Sequence, residues 1–177
     1  MLSSNIIYGA GILFYSKSID KSVYFFLGKD NDNKWSNFGG RCELSDKQDH
    51  EVTAARETWE ESLGCIEDYD FIKNTIRKTG SNTNVLYCRT PSGYPYYLYL
   101  VKLPYNTSYR YKFHSTKKFI SRVNLDKKFE EISDVKWVSY DTLKYSIGSK
   151  TPFIRLRGVF EQTLKEKRHE IDNIITS

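Results

Sequence analysis

The chain has 177 residues, 39% of them hydrophobic and 28% charged, with 27 Lys and Arg residues against 22 Asp and Glu residues. This length suits one domain with its own core, and the composition excludes a disordered or fibrous protein. The three cysteines lack the spacing of a zinc site, and no apolar stretch approaches the roughly 20 residues that span a membrane. We therefore expect one cytoplasmic domain over residues 1–177, without membrane contact.

The net charge of +5 conceals two segments of opposite charge. Residues 40–70 contain ten acidic and three basic residues, whereas residues 102–128 contain eight basic residues and one acidic residue. This contrast favours an acidic, cation-binding pocket beside a basic surface that could meet polyanions. Two solvated surfaces without partners would give the same pattern.

The first half of the chain predicts two strands, a loop and one clear helix. Apolar runs at residues 6–15 and 23–27 predict adjacent buried strands, and residues 28–37 a turn-rich loop. Residues 49–63 predict a helix that stops at Gly64. The face expected to pack in the core repeats at three- and four-residue intervals and consists of Val52, Ala55, Arg56, Trp59 and Leu63.

The second half predicts a hairpin, an irregular basic segment and a C-terminal helix. Residues 85–88 and 94–103 predict strands around a turn at 90–93. The basic and aromatic segment 105–128 has no clean period, so we expect a strand followed by a long loop. A short strand is expected over 134–138 and a helical turn over 141–145. Thr151-Pro152 predicts a helix start, and the apolar stripe that follows comprises Phe153, Leu156, Phe160, Leu164, Ile171 and Ile174.

Three glutamates within the predicted helix 49–63 are the main candidates for chemistry. At about 100° per residue, Glu57, Glu60 and Glu61 share a face distinct from the apolar one. Their repulsion destabilises the helix by a few tenths of a kcal/mol per pair, which a bound Mg²⁺ or Mn²⁺ would offset. A solvated acidic face is the plain alternative. Two neighbouring features favour the metal site. Gly39-Gly40 allows close approach of the backbone, and the guanidinium group of Arg56 can donate several hydrogen bonds that fix the loop or the carboxylates.

This segment resembles a variant of the Nudix box, G-x5-E-x7-R-E-U-x-E-E-x-G-U, where U is aliphatic. Gly40 matches the first glycine, and the R-E and E-E pairs are Arg56-Glu57 and Glu60-Glu61. The interval from Gly40 to Arg56 is two residues longer than the pattern. The lone glutamate of the box therefore falls on Asp46 when counted from the glycine, or on Gln48 when counted back from the arginine.

The resemblance implies an α/β fold, a Nudix-type α/β/α sandwich with a mixed central sheet, and metal-dependent hydrolysis of a diphosphate linkage. It implies that Glu57, Glu61 and the Gly40 carbonyl bind Mg²⁺ or Mn²⁺. Glu60 would help through water or accept a proton. It also implies that Arg56 and Asp46 brace the loop. Family members often recruit one further glutamate as ligand or base. Of the two matching positions we prefer Glu131 to Glu130, the alternative being a surface acidic pair.

Substrate and partner are less determined by the sequence. Arg41 beside the glycines is a candidate phosphate contact, or a surface arginine. Four aromatic residues, Trp35, Tyr96, Tyr97 and Tyr99, could stack a base, although aromatic residues in strands more often form core and cross-strand pairs. The resemblance allows free nucleotides, dinucleoside polyphosphates or capped RNA, since some Nudix enzymes, including those of large DNA viruses, remove mRNA caps. The basic segment 102–128 suits RNA. A non-catalytic Nudix-fold binding module and an RNA-binding protein with a merely structural acidic helix are the competing classes.

Overall fold

The computed structural model describes residues 8–78, 83–123 and 126–177, so Ile6 and Ile7 of the first predicted strand lie outside it. The strands within this part are β1 (Gly9–Lys17), β2 (Val23–Asp30), β3 (Trp35–Ser36), β4 (Phe38–Arg41), β5 (Thr83–Arg89), β6 (Pro95–Lys102) and β7 (Ile132–Ser139). The α-helices there are α1 (His50–Ser62), α2 (Tyr69–Arg77), α3 (Ser108–Val123), α4 (Tyr140–Ser146), α5 (Gly158–Glu166) and α6 (Arg168–Thr176). None of these helices combines the length and hydropathy needed to cross a membrane.

The sheet is mixed, with β1 at its centre. Along one edge β1 pairs antiparallel with β4 through its first residues and with β2 through its last. Along the other edge β1 pairs in parallel with β6, which forms the expected hairpin with β5. Strand β7 extends the sheet beyond β2 in antiparallel register. The predicted mixed sheet is therefore confirmed, and the pairing of β1 with β4 brings Gly39-Gly40 to the centre of the molecule.

Two hydrophobic cores lie on opposite faces of this sheet, because successive side chains of a strand point to opposite sides. Ile12 and Phe14 of β1 belong to the core under α1, α2 and α3. Leu13 and Tyr15 belong to the core under α4, α5 and α6. Helices therefore cover both faces, and the expected α/β/α sandwich is confirmed.

Helix α3 replaces the strand and long loop predicted for residues 105–128. Tyr109, Phe113 and Ile120 recur on one side of the helix and are buried in the core under α1 and α2. The sequence obscures this stripe because the outer side of the helix also carries aromatic residues, Tyr111 at 76% and Phe119 at 62% exposure. The prediction was wrong because tertiary contacts, rather than a clean apolar period, select the buried face.

The C-terminal helix also begins later than predicted. Thr151-Pro152 precedes irregular backbone, and α5 starts only at Gly158. The segment between them is held to β3, since the Trp35 N–H donates to the Arg155 carbonyl at 2.8 Å and the Arg157 N–H donates to the Trp35 carbonyl at 3.0 Å. These hydrogen bonds outweigh the local signal for a helix start. As a result, Phe153 is 71% exposed instead of lying in the predicted apolar stripe.

Candidate active site

Helix α1 carries the three candidate glutamates, and both of its ends are set by local signals. The Asp49 carboxylate caps the helix by accepting hydrogen bonds from the N–H groups of Glu51 and Val52 at 2.9 and 3.2 Å. At the other end Leu63 and Gly64 have φ angles of 54° and 63°, and left-handed residues stop a helix. The helix therefore lies within one residue of its predicted bounds.

The buried face of α1 differs from the predicted one. Ala54, Ala55, Thr58 and Ser62 are fully buried, whereas Trp59, expected in the core, is 36% exposed. Small side chains allow α1 to pack closely on β1 and β4. The prediction was wrong because apolar periodicity favours large side chains, while the glycine-rich strand β4 admits a helix with small ones. This close approach brings the carboxylates of α1 to the backbone of β4.

Glu61 is buried beneath β4, with only 6% of the residue exposed. Its Oε2 atom accepts a hydrogen bond from the Gly39 N–H at 2.7 Å. Burial raises the pKa of Glu61 to about 8; the Gly39 hydrogen bond opposes this rise, and repulsion from Glu57 and Glu131 adds to it. A carboxylate in this position needs a nearby cation to stay charged at neutral pH.

Glu57 lies against the backbone of Gly40. A methyl group added to Gly40 would lie 2.5 Å from the Glu57 carboxyl group, so the contact requires glycine. Burial raises the pKa of Glu57 to about 7, with Arg56 acting in the opposite direction and Glu60 adding repulsion. Glu57 and Glu61 thus form a carboxylate pair in which each charge disfavours the other.

Glu60 differs from this carboxylate pair because it already has two cationic partners. Its Oε2 atom accepts from Arg56 Nη1 at 3.2 Å and its Oε1 atom from Lys128 Nζ at 2.6 Å. Lys128 lies in a short 3-10 helix, Lys127–Glu130, that follows α3 in the chain. Glu60 therefore joins α1 to this segment, and its role at a metal ion stays a prediction.

Arg56 ties the loop before α1 to the middle of the helix. Its Nε and Nη2 atoms donate to the two carboxylate oxygens of Asp46, both at 2.9 Å, and Nη2 also donates to the Arg41 carbonyl at 3.0 Å. Asp46 also accepts from the Glu43 N–H and the Thr53 hydroxyl, both at 2.9 Å. Burial alone would raise the pKa of Asp46, but these hydrogen bonds hold it below its usual range. The loop that carries the glycines is therefore rigidly anchored.

The two extra residues of the variant box occupy a turn. Asp46 stands where the count from Gly40 puts the lone acidic residue, and it makes the contacts just described. The next two residues, Lys47 and Gln48, both have left-handed backbone, with φ angles of 52° and 60°. They turn the chain from a short 3-10 helix into α1. This geometry indicates that the insertion follows Asp46 and leaves the spacing from the glycine to the acidic residue unchanged.

The two downstream glutamates face different surroundings. The charge of Glu131 raises the pKa of both Glu57 and Glu61, so its carboxylate lies within electrostatic range of the pair. Glu130 instead lines a separate cavity with Asn31 and Lys117. Of the two, Glu131 is the residue that the structure brings to the carboxylate pair.

A cleft of about 290 Å³ opens beside β4. Gly39, Gly40 and Arg41 line it from β4, and Tyr96 and Arg157 line it from β6 and from the start of α5. The charge of Arg157 lowers the pKa of Glu61, against the larger effect of burial. Arg157 is not among the residues predicted from sequence, because it belongs to no motif and reaches the cleft only through the pairing of its segment with β3.

Of the four aromatic residues predicted to be able to stack a base, Tyr96 lines the cleft, whereas Trp35 and Tyr97 lie elsewhere. Trp35 is 6% exposed, and the Lys136 ammonium group is 4.3 Å from the centre of its ring. Tyr97 stacks on His50 with ring centres 4.1 Å apart. Neither ring lines the cleft, as far as the described residues define it. Both positions correspond to the alternative interpretation, core and cross-strand packing, because each ring already has a partner within the protein.

The carboxylate pair is a candidate place for a hard cation. Within residues 8–78, 83–123 and 126–177, no three His, Cys, Asp or Glu side chains are grouped to hold a metal ion. The pair itself fits one, because burial raises both pKa values, neighbouring carboxylates add to the rise, and the Gly40 backbone lies against Glu57. Mg²⁺ commonly binds through one or two carboxylates and completes its shell with water and phosphate oxygens. Two carboxylates beside an open cleft meet that requirement.

No protein-family model and no curated protein matches this chain. A solved Nudix hydrolase from M. smegmatis, RenU, superposes with a TM-score of 0.54 at 12% identity, covering 94% of this chain and 86% of that one. An Ap4A hydrolase from C. elegans, solved as a binary complex, gives 0.51 at 17% identity, with coverage of 95% and 99%. The fold is that of the Nudix hydrolases.

Within this Nudix fold, the residues matched to the Nudix pattern meet at one place. The bracing loop and the glutamates of α1 lie around the glycines of β4, although Gly39 and Glu61 are separated by 22 residues in sequence. The cleft opens beside the same glycines. The expected Nudix-type sandwich is thus confirmed, and its candidate site is a carboxylate pair next to a cleft with two arginines.

Proposed function

We propose that this chain is a metal-dependent Nudix pyrophosphohydrolase that cleaves a diphosphate linkage in a nucleoside diphosphate derivative. One observation carries the proposal: the half-buried Glu57 and the buried Glu61 form a carboxylate pair against the backbone of Gly39-Gly40, and these two glycines line the cleft. Hydrolysis of a diphosphate requires cations for its oxygens and an acceptor for the proton of the attacking water. This site can supply both, and the shared fold adds an analogy.

Glu57, Glu61 and the Gly40 carbonyl would hold Mg²⁺ or Mn²⁺. A bound ion of this kind neutralises phosphate charge and makes water more acidic. The protein contributes the rigidity of the site, because Arg56 locks the Asp46 loop to α1 and the Gly39 N–H orients the Glu61 carboxylate. Ligands held in this way lose little conformational freedom when a cation binds.

Glu131 is our candidate for the proton acceptor. Its side chain is exposed at the edge of the site, and its charge acts on both Glu57 and Glu61. Glu60 is the weaker candidate, because Arg56 and Lys128 already occupy its two oxygens. A base must reach its proton by a hydrogen bond, and Glu60 would have to share an oxygen with one of these two cations to do so.

The substrate phosphates would contact the two exposed arginines of the cleft, Arg41 and Arg157. A guanidinium group matches phosphate oxygens through paired donors, so two of them suit a diphosphate. The cleft, at about 290 Å³, is near the small end of ligand pockets. A dinucleoside polyphosphate is the first substrate to test, since the similar C. elegans protein is named an Ap4A hydrolase.

The test is hydrolysis of a nucleotide panel that includes nucleoside triphosphates, nucleoside diphosphate sugars and diadenosine tetraphosphate, with Mg²⁺ or Mn²⁺. We expect turnover of at least one compound and its loss when the metal is chelated. Glu61→Gln should lower kcat by about 10²- to 10⁴-fold. Glu67→Gln is the matched control, because Glu67 is exposed just beyond α1 and should leave kcat unchanged.

The outcomes separate the classes. Turnover that is equal in wild type and Glu61→Gln would disprove the assignment of the site. Nucleotide binding without turnover would favour the non-catalytic Nudix-fold binding module over the enzyme.

Capped RNA is the second candidate substrate, and the basic outer face of α3 favours it, with its exposed Tyr111 and Phe119. In the same assay, RNA with a labelled cap should release a labelled cap nucleotide. Release from RNA, with no cleavage of free nucleotides, would make capped RNA the main substrate class. Cleavage of free nucleotides alone would exclude it.

A further inference from the structure

The outer face of α3 is a cationic surface that the proposed hydrolase does not use. The helix contains five Lys and Arg residues and no Asp or Glu over Ser108–Val123. At about 100° per residue, Tyr111, Lys118 and Arg122 lie on the side opposite the buried stripe, and Lys112 and Phe119 lie next to them. All five side chains are exposed. From Tyr111 to Arg122 this face extends about 17 Å along the helix axis.

The three cations of this face differ from the two other cations of α3, which have oxygen partners within the protein; Lys112 makes only a ring contact, 6.0 Å from the centre of Tyr109. Arg110, on the flank, donates two hydrogen bonds to Asp134, and Lys117 donates to the Ile132 carbonyl. Among the described residues, by contrast, no carboxylate lies within ion-pair distance of Lys112, Lys118 or Arg122. Fixed cations without counter-charges favour a polyanion as partner.

We propose that the outer face of α3 binds single-stranded polynucleotides, with its cations on phosphates and its two aromatic rings on unpaired bases. Lys112, Lys118 and Arg122 supply the cations, and Tyr111 and Phe119 supply the rings. Stacking on exposed aromatic side chains needs bases whose faces are open, which duplexes do not offer. Interleaved cations and aromatic rings are the usual means by which proteins bind single strands.

A membrane surface fits this face less well. A helix that lies in a membrane interface buries an apolar face in lipid. The apolar face of α3, formed by Tyr109, Phe113 and Ile120, is already buried in the protein core. The exposed apolar side chains of α3 are the separate rings of Tyr111 and Phe119, which lie among cations, and Val123 at the end of the helix.

The basic surface continues towards the candidate active site. After α3 the chain enters the 3-10 helix Lys127–Glu130, where Lys127 is exposed and Lys128 contacts Glu60 of α1 at 2.6 Å. A strand bound on α3 would therefore have its end close to the carboxylate pair. Binding on α3 does not require hydrolysis, but its use to deliver a polynucleotide substrate rests on the proposed function.

The test is fluorescence anisotropy with labelled single-stranded RNA and DNA of about 20 nucleotides, in a metal chelator, over a range of salt. A cation variant combines Lys112→Gln, Lys118→Gln and Arg122→Gln. Relative to wild type, it should lose at least about tenfold in affinity at low salt. Affinity falls as salt rises, and this dependence should weaken: the slope of log affinity against log salt should be less negative by about 2. A matched control combines Lys17→Gln, Lys21→Gln and Lys150→Gln, three exposed lysines outside α3, and should bind as wild type does.

The aromatic rings are tested separately. Tyr111→Ala combined with Phe119→Ala should lower the affinity about tenfold with little change of salt slope, since stacking involves no counterions. Equal affinity for RNA and DNA would mean that the surface recognises the phosphates and bases that both share. Tighter binding of RNA would mean that the surface is specific for RNA. Duplex binding as tight as single-strand binding would overturn the proposal.

Two further outcomes would also overturn it. One is equal affinity of the cation variant and the lysine control. The other is binding of wild type, through these cations, to phosphatidylserine-containing vesicles but to no oligonucleotide. Glu61→Gln separates this inference from the proposed function, because it should lose hydrolysis and keep RNA binding. Wild-type binding without any hydrolysis would disprove the proposed function alone.

Discussion

Helices α1 and α3 both carry dense charge, but they hold it in opposite ways. On α1 the charges are buried and interlocked: the Arg56 side chain is 14% exposed and that of its partner Asp46 is 1% exposed. On α3 the cations of the outer face point into water. Both helices bury one side in the same core. They differ in the surroundings of their charged side, which is packed against other protein groups in α1 and faces solvent in α3.

This difference separates two uses of charge. Buried charges interact strongly, shift one another's pKa values and depend on positions within a fraction of an ångström. Exposed charges are screened within about 10 Å at moderate salt and act mainly through their sum. A catalytic site therefore needs buried, precisely placed charges such as those of α1, whereas a surface that binds a polyanion needs several exposed cations such as those of α3. The predictions below test this contrast through single positions.

The largest effect is expected at the buried anchor of α1. Asp46→Ala removes both acceptors of the Arg56 fork and leaves the guanidinium group without its main partner. Breaking such a buried pair destabilises a protein by about 3–5 kcal/mol, which urea denaturation would measure. Asp141→Ala is the control, since its side chain is 90% exposed beside Lys144 and the change should stay within about 0.5 kcal/mol. Equal losses in the two variants would remove the contrast between buried and exposed pairs.

A smaller effect is expected on catalysis from one methyl group. In Gly40→Ala the new Cβ would lie 2.5 Å from the Glu57 carboxyl group and must displace it. A shift of about 1 Å in a reacting group lowers rates about 100-fold, so kcat should fall by that factor on any substrate found in the panel. Gly158→Ala is the control, because its Cβ would meet nothing within 4 Å. Unchanged kcat in Gly40→Ala would show that the Glu57 position is not critical.

The smallest effect on stability is expected at the ion pair between Arg110 of α3 and Asp134, which corresponds to the Arg56–Asp46 pair of α1 but is more exposed. Asp134 of β7 accepts from Arg110 at 2.9 and 2.8 Å and contacts His114 at 2.9 Å. Asp134→Asn should lower the free energy of unfolding at pH 7 by about 1–2 kcal/mol, since Arg110, 57% exposed in its side chain, is partly screened by water.

The pH dependence of this loss has a definite sign. Burial would raise the pKa of Asp134, but the hydrogen bonds from Arg110 and His114 hold it below its usual range. A lowered pKa stabilises the fold fully above the unfolded value of about 3.9 and progressively less as the pH falls through the folded value. The difference between wild type and Asp134→Asn should therefore be constant near neutrality and shrink below about pH 4. A difference that persists unchanged in acid would contradict the ion pair.

The parts that sequence predicted well are those with local causes. The bounds of α1 follow from the Asp49 cap and from the left-handed turn at Leu63 and Gly64, both of which act within a few residues. The R-E-x-x-E-E spacing places Glu57 and Glu61 on one side of any helix. The mixed α/β/α sandwich was expected from the resemblance of the glutamate segment to the Nudix box, which is itself a short local pattern.

The parts that sequence missed depend on contacts between distant segments. Trp59 was expected in the core and Thr151-Pro152 at a helix start, but the glycines of β4 and the backbone of β3 decided otherwise. Helix α3 was hidden because its outer aromatics, Tyr111 and Phe119, blur the apolar period. Local patterns contain no information on which neighbour a face will meet.

The sequence by itself determined that this chain carries a glutamate helix behind two glycines, because helical spacing and turn chemistry are properties of short segments. Only the tertiary structure decided how these glutamates differ. Burial under β4 gives Glu57 and Glu61 raised pKa values, while Lys128 from a distant segment neutralises Glu60. Arg157 reaches the cleft in the same way. Burial and long-range pairing exist only once the chain has folded, and they turn three similar carboxylates into a candidate site.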